Sequence, residues 1–250
     1  MTKKRPDAVN VPPFETEDLR ENLLKFLDSL FEELSGSTRQ IGNYKWGVYA
    51  FFDYDGEPIY IGQTNEQVRT RIRRHLTNQR TDAVAMSVLD PFEVYEIEVW
   101  PLPQFQNLTK PRKTDPRWPE WEAAVNHLNA LERLVHDQAI QKSHFGAVLN
   151  EKDPPPAKVK ITMPLSLRGC VVSEAVSNIR SHPDFRNARR ALVISRLSQV
   201  IAERKVQGGL RRVLLTQAKR LQWLAQRRYD ALGGAASVPQ EDGDGENSDT

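Results

Sequence analysis

Residues 47 to 64, GVYAFFDYDGEPIYIGQT, put two phenols, Tyr49 and Tyr60, on the two arms of a segment that reads as a β-hairpin. The chain then runs straight into VRTRIRRHL, which is rich in arginine and carries a histidine. At about 100° per residue, a helix over that segment buries Val68, Ile72 and Leu76. Arg71 and His75 then run along one flank and Arg69 and Arg73 along the other, with Arg74 adding a further guanidinium. A guanidinium beside a sheet is well shaped to grip a phosphate bidentately. The alternative is a solvated basic face, and the spacing alone does not choose between the flanks. His75 taken by itself reads as a boundary residue.

A carboxylate stands out further along. The segment WEAAVNHLNALERLVHDQAI predicts a helix whose apolar stripe is Trp121, Val125, Leu128, Leu131 and Val135, and Glu132 falls near the middle of that stripe. Burying a carboxylate without compensation costs several kcal/mol or raises its pKa. Glu132 is therefore expected to be paired with a cation such as a nearby arginine, hydrogen-bonded, or bound to a metal.

These groups need elements to hold them. FETEDLRENLLKFLDSLFEEL, within 14 to 36, predicts an amphipathic helix capped by Thr16, with Leu19, Leu23, Phe26, Leu30 and Leu34 as its stripe and Gly36 and Ser37 as its stop. Asp55-Gly56 supplies the hairpin turn. Thr64 and Gln67 have the spacing of a capping box for the helix that follows. FEVYEIEVW, 92 to 100, predicts a third strand, and residues 101 to 119 a proline-rich loop. After Asn150, the prolines at 154 to 156 mark a boundary. Beyond it, Val159 to Leu167 alternate as an edge strand broken by Pro164. Two helices, about 186 to 206 and 210 to 232, follow, with stripes of Ala188, Leu192 and Val200 and of Leu210, Leu214, Leu221 and Leu224 that pack as a hairpin. The expected fold class is α+β: a small antiparallel sheet of about three strands flanked by helices, with a mainly helical extension over 157 to 232.

Composition narrows the function classes. A 250-residue chain can bury a real core. No stretch approaches the ~20 apolar residues of a membrane span. A single cysteine, Cys170, fits a reducing cytoplasm and rules out a zinc site built on sulfur. The net charge of +2 hides a segregation: residues 174 to 230 hold thirteen Lys and Arg against four acids, whereas residues 238 to 250 hold five acids and no base. That tail, 236 to 250, has too little apolar surface to fold and is expected to be disordered.

In this order the parts resemble the GIY-YIG endonuclease family. Gly47-Val48-Tyr49 stands for the first motif, with valine in place of isoleucine, and Tyr60-Ile61-Gly62 for the second; Arg71, His75, Glu132 and Asn150 follow. The resemblance covers roughly residues 44 to 150. It implies that Tyr49 acts as, or helps activate, the general base for an attacking water, that Tyr60 positions the water or phosphate, and that Arg71 stabilises charge on the phosphoryl oxygens. It makes Glu132 the one protein ligand of a divalent cation, Mg²⁺ with Mn²⁺ as the alternative, whose other sites are phosphate oxygens and waters. His75 would accept a proton through Tyr49, contact phosphate, or only pack. Asn150 would orient groups near the metal, its alternative being a turn residue before the prolines. A tyrosine of ordinary pKa, near ~10, needs nearby positive charge to act as a base at neutral pH.

The flanks suggest the substrate. Arg211, Arg212, Lys219 and Arg220 on the C-terminal helices, with Arg69, Arg73 and Arg74, suit a nucleic-acid backbone. The expected function is a metal-dependent endonuclease acting on duplex DNA. The alternative is a binding module of the same fold that does not cut efficiently.

Overall fold

The computed structural model describes residues 14 to 77, 88 to 204 and 208 to 234. The acidic tail lies outside them. The first helix, α1 (Phe14–Asp28), leads into a short hairpin of β1 (Leu30–Glu32) and β2 (Thr38–Gln40). The large hairpin is β3 (Gly47–Phe52) and β4 (Pro58–Thr64), followed by α2 (Val68–Leu76). Then come β5 (Glu96–Pro101), the long α3 (Trp118–Lys142), β6 (Leu167–Cys170), α4 (Glu174–Arg180), α5 (Pro183–Glu203) and α6 (Gly208–Ala231). The main sheet has the order β4-β3-β5-β6, antiparallel throughout. The architecture is α+β, and the part after residue 170 is mostly helical.

Central strand β3 is buried along its whole length because the sheet is covered on both faces. Tyr49 and Phe51 enter one core with Leu19, Leu23 and Leu27 of α1, Val68 and Ile72 of α2, and Leu197, Leu210 and Val213 of the last two helices. Val48 and Ala50 enter the other with Trp46, Ile61 and the α3 residues Trp121, Leu128, Leu131 and Val135. This period-two division is the pattern the hairpin sequence carries.

The first helix ends earlier than its stripe predicts. Leu27 is buried, but Leu34 is 92% exposed and Leu30 also faces solvent. With nothing for those two leucines to pack on, the chain turns extended. Phe31 alone reaches the core, edge-on to the Tyr44 ring at 5.9 Å. Gly36, at φ 80°, makes the β1–β2 turn rather than a helix stop. Thr16 lies inside the helix instead of capping it. The capping box fails likewise: Thr64 ends β4 and accepts from the Glu66 amide, and the N-cap of α2 is Gln67. Of the period-two run from Val159, only its end at Leu167 pairs, extending to Cys170 as a fourth strand against β5.

The largest departure concerns the basic helices. α5 and α6 do pack as a hairpin, but α5 turns Arg186, Arg190, Val193 and Leu197 inward and leaves Leu192 at the surface. The reason is Asp53, 1% exposed at the end of β3. Its carboxylate accepts from Arg186 at 3.0 Å, from Arg190 at 3.0 Å and from Arg220 of α6. Buried Glu93 also pairs with Arg190, at 3.0 Å. Around this cluster Arg189 grips Asp90, Arg180 pairs with Glu15 at 2.6 Å, and Arg228 with Asp184. Much of the basic charge of the C-terminal part is thus neutralised inside the molecule. Its strand β6 also completes the sheet, so the sheet and the core cross the proline boundary at 154 to 156.

Candidate active site

The end of β4, the start of β3, α2 and the middle of α3 converge on one corner of the sheet. Tyr49 pairs with Gly62 in the hairpin register. Its ring lies over that glycine so closely that a Cβ there would overlap the hydroxyl and Cζ of Tyr49. Glycine in Tyr60-Ile61-Gly62 is thereby a condition for the Tyr49 side chain to sit where it does. The Tyr49 and Tyr60 rings are 6.4 Å apart between centroids, and the His75 ring is 5.9 Å from Tyr49 and 5.1 Å from Tyr60. Of the two flanks of α2, the one carrying Arg71 and His75 faces the tyrosines.

Burial raises the pKa of Tyr49 well above that of an ordinary phenol; Tyr60 adds to the rise, and the nearby Arg71 opposes it without overcoming it. In the free protein burial therefore favours the neutral phenol of Tyr49, and Arg71 alone does not offset it. Burial likewise works against the Arg71 cation, but Tyr49, Tyr60 and Glu66 outweigh it and hold that pKa above its ordinary value. Arg71 is close enough to favour the Tyr49 anion, yet neither the buried Tyr49 hydroxyl nor Arg71 Nε reaches hydrogen-bonding geometry with a partner.

Glu132, half-buried on α3, is pushed up to about 7 by desolvation, with only the charge of Arg71 pulling the other way. The arginine ion pair that would make it purely structural does not form among the described residues. Nor is there among them a group of three or more His, Cys, Asp or Glu side chains able to enclose a metal. What the corner offers is one carboxylate that makes no ion pair or hydrogen bond among the described residues, a donor set that fits a cation completed by phosphate oxygens and water.

Asn150 stands apart from this group. Its Oδ1 accepts from the Ile61 amide at 3.0 Å and its Nδ2 donates to the Ile61 carbonyl at 2.7 Å. Both ends of the side chain are taken up by the backbone of β4, so Asn150 holds the strand carrying Tyr60. The basic residues are sorted too. Arg69 is fastened to Asp28 at 2.6 Å and to the Leu27 carbonyl, which makes it a tie between α1 and α2 instead of a phosphate contact. Arg220 is 1% exposed and held on Asp53, so it cannot meet a nucleic acid. Arg212 pairs with Asp153 at 2.9 Å, and Arg74 leans on Glu66 at 3.4 Å. Arg73, Arg211 and Lys219 are exposed.

One feature escaped sequence reasoning: Gln63 Nε2 donates to Asn129 Oδ1 at 2.9 Å beside the site. The signals were present, since Gln63 directly follows Tyr60-Ile61-Gly62 and Asn129 lies one helical turn before Glu132. Nothing in the spacing shows that two amides 66 positions apart meet.

Residues 45–106 match the family model of the GIY-YIG catalytic domain, a domain of nucleases. No curated protein matches the chain, and no solved structure does. The matched span holds Tyr49, Tyr60, Arg71 and His75; Glu132 lies beyond it on α3 and Asn150 beyond it against β4.

Proposed function

We propose that the chain is a divalent-cation-dependent endonuclease that hydrolyses phosphodiester bonds in duplex DNA. The observation that carries this reading is Glu132, a desolvated carboxylate that makes no ion pair among the described residues and lies within the field of Arg71, the arginine beside Tyr49. A domain that only held nucleic acid would gain nothing from it, because a carboxylate repels phosphate unless a cation stands between them. That disfavours the pure binding module.

In the proposed reaction Arg71 holds the scissile phosphate and meets the charge that builds on its oxygens. Glu132 would hold the cation, which supplies further positive charge to the phosphate. A water adds to phosphorus and gives up its proton, while the bond to the leaving sugar oxygen breaks and that oxygen takes a proton. Tyr49, kept neutral by burial, orients the water through its hydroxyl and relays the proton rather than storing it; Tyr60 and His75 form the wall along which the proton leaves. Supercoiled plasmid incubated with pure protein should be nicked or cut with Mg²⁺ and left intact with EDTA. Robust cutting in EDTA by contamination-free protein would remove this mechanism.

Tyr49→Phe removes only a hydroxyl. Its single-turnover rate should fall by about 10²-fold or more, with little change in DNA affinity. Equal losses in rate and affinity would make Tyr49 a structural residue. For the outer surface, Arg211→Gln with Lys219→Gln should reduce the log-log salt slope of binding by about 0.9 for each phosphate that is no longer neutralised. An unchanged slope would take α6 out of the DNA interface.

A further inference from the structure

Two elements of the candidate site approach each other without a direct covalent or strand connection: β4, which carries Tyr60, and α3, which carries Glu132. Around them the contact is apolar, with Val48, Ala50 and Ile61 of the hairpin against Trp121, Leu128 and Leu131 of α3. Apolar contacts are not directional and tolerate small sliding movements. The bond from Gln63 Nε2 to Asn129 Oδ1, 2.9 Å long, is directional and joins the two elements at the height of the site. Gln63 is three residues after Tyr60, and Asn129 three before Glu132 on the same helix face.

The other end of the amide is equally informative. Gln63 Oε1 is buried and has no hydrogen-bond partner. It belongs to a side chain that lines, together with Thr64, Asn65, Arg71 and Asn129, a polar recess of about 230 Å³. A buried acceptor left unpaired weakens the fold, whereas an apolar side chain of the same length would not. An unpaired polar atom lining a recess breaks a local rule without a gain in stability, which is the mark of a functional position.

We propose that Gln63 and Asn129 are positioning residues of the site, the bridge between them setting the reach of Glu132 towards Arg71 and the tyrosines. This rests on the nuclease reading above. Gln63→Met keeps the length and volume of the side chain and removes both amide atoms. Its single-turnover cleavage rate should drop about 10- to 100-fold, the scale of a misplacement near 1 Å. Its melting temperature in EDTA should change little, relief of the unpaired Gln63 Oε1 offsetting the donor lost to half-buried Asn129 Oδ1. Gln63→Asn alone shortens the bridge and should also be slow. The reciprocal pair, Gln63→Asn with Asn129→Gln, keeps the combined length and should return most of the missing rate.

Parental rates in Gln63→Met, with the parent active, overturn this inference alone. So does a loss of rate fully accounted for by a smaller folded fraction, which would make the bridge merely structural, and so does a well-folded reciprocal pair that remains as slow as Gln63→Asn. A parent that cuts no plasmid overturns the nuclease reading and takes this inference with it.

Discussion

Glu132→Gln is expected to lower cleavage by roughly 10²-fold or more while leaving the chain folded, because the change keeps the shape of the side chain and removes only its charge. Stability separates this from a structural role. The carboxyl titrates near 7 in the folded chain against an ordinary 4.5, so the folded state binds the proton more tightly than the unfolded state. The stability contributed by the protonated group is complete below 4.5 and is lost as pH rises through 7. The glutamine variant has no such loss. In EDTA the two proteins should melt alike at low pH, and the variant should become the more stable one above neutrality, by on the order of 1–3 kcal/mol. Added Mg²⁺ should restore the parent, since a cation that binds only the folded, ionised form stabilises it. A gap independent of pH would contradict the desolvated carboxylate. A variant that melts far lower yet cuts DNA while folded would show that Glu132 is an ion-pair partner and not a metal ligand.

Asp53→Asn should have the largest effect on the fold. Asp53 receives Arg186, Arg190 and Arg220 in a region closed to water. Removing its charge leaves three buried guanidiniums, none of which can lose its proton, to Glu93 and the rim carboxylate Asp55. Breaking a buried ion pair from one side costs about 3–5 kcal/mol, out of a total that for an ordinary domain is only about 5–15 kcal/mol. Urea unfolding should show the loss as a lower midpoint. Arg211→Gln, on the exposed face of α6, should shift stability by less than about 0.5 kcal/mol. Equal midpoints for Asp53→Asn and Arg211→Gln would mean that the cluster does not hold the C-terminal helices in place.

The hairpin, α2 and α3 are legible in the sequence because each rests on local pattern, alternation, an Asp-Gly turn and apolar stripes, and Glu132 stands out as a carboxylate inside one such stripe, whereas Tyr49, Tyr60, Arg71 and His75 are grouped only by the family resemblance. What is illegible depends on partners distant in sequence. Arginine is ordinarily a surface residue, so the sequence of α5 reads with Ala188 and Leu192 inward. Yet Arg186, Arg190, Val193 and Leu197 have the same helical period, and only Asp53 and Glu93 decide between the two faces. Leu30 and Leu34 continue the stripe of α1 in number, but the rest of the fold offers them nothing to cover. Asn150 reads equally as a turn or as a site residue; its two bonds to Ile61 come from closing the outer edge of β4.

The tie between Asp53 and Arg220 also sets a schedule for making the molecule. The two residues are 167 positions apart in the chain, and at ribosomal rates of about 5–20 residues per second the acid emerges roughly 10–30 seconds before the base. Within that interval Arg186 and Arg190 of α5 reach Asp53 before Arg220 of α6 exists, so the burial of the carboxylate is compensated in two stages. Completion of α6 brings the third guanidinium to Asp53. A translation product interrupted after α5 would carry Tyr49, Tyr60, Arg71, His75 and Glu132 but lack Leu210 and Val213 of α6, which share a core with Tyr49.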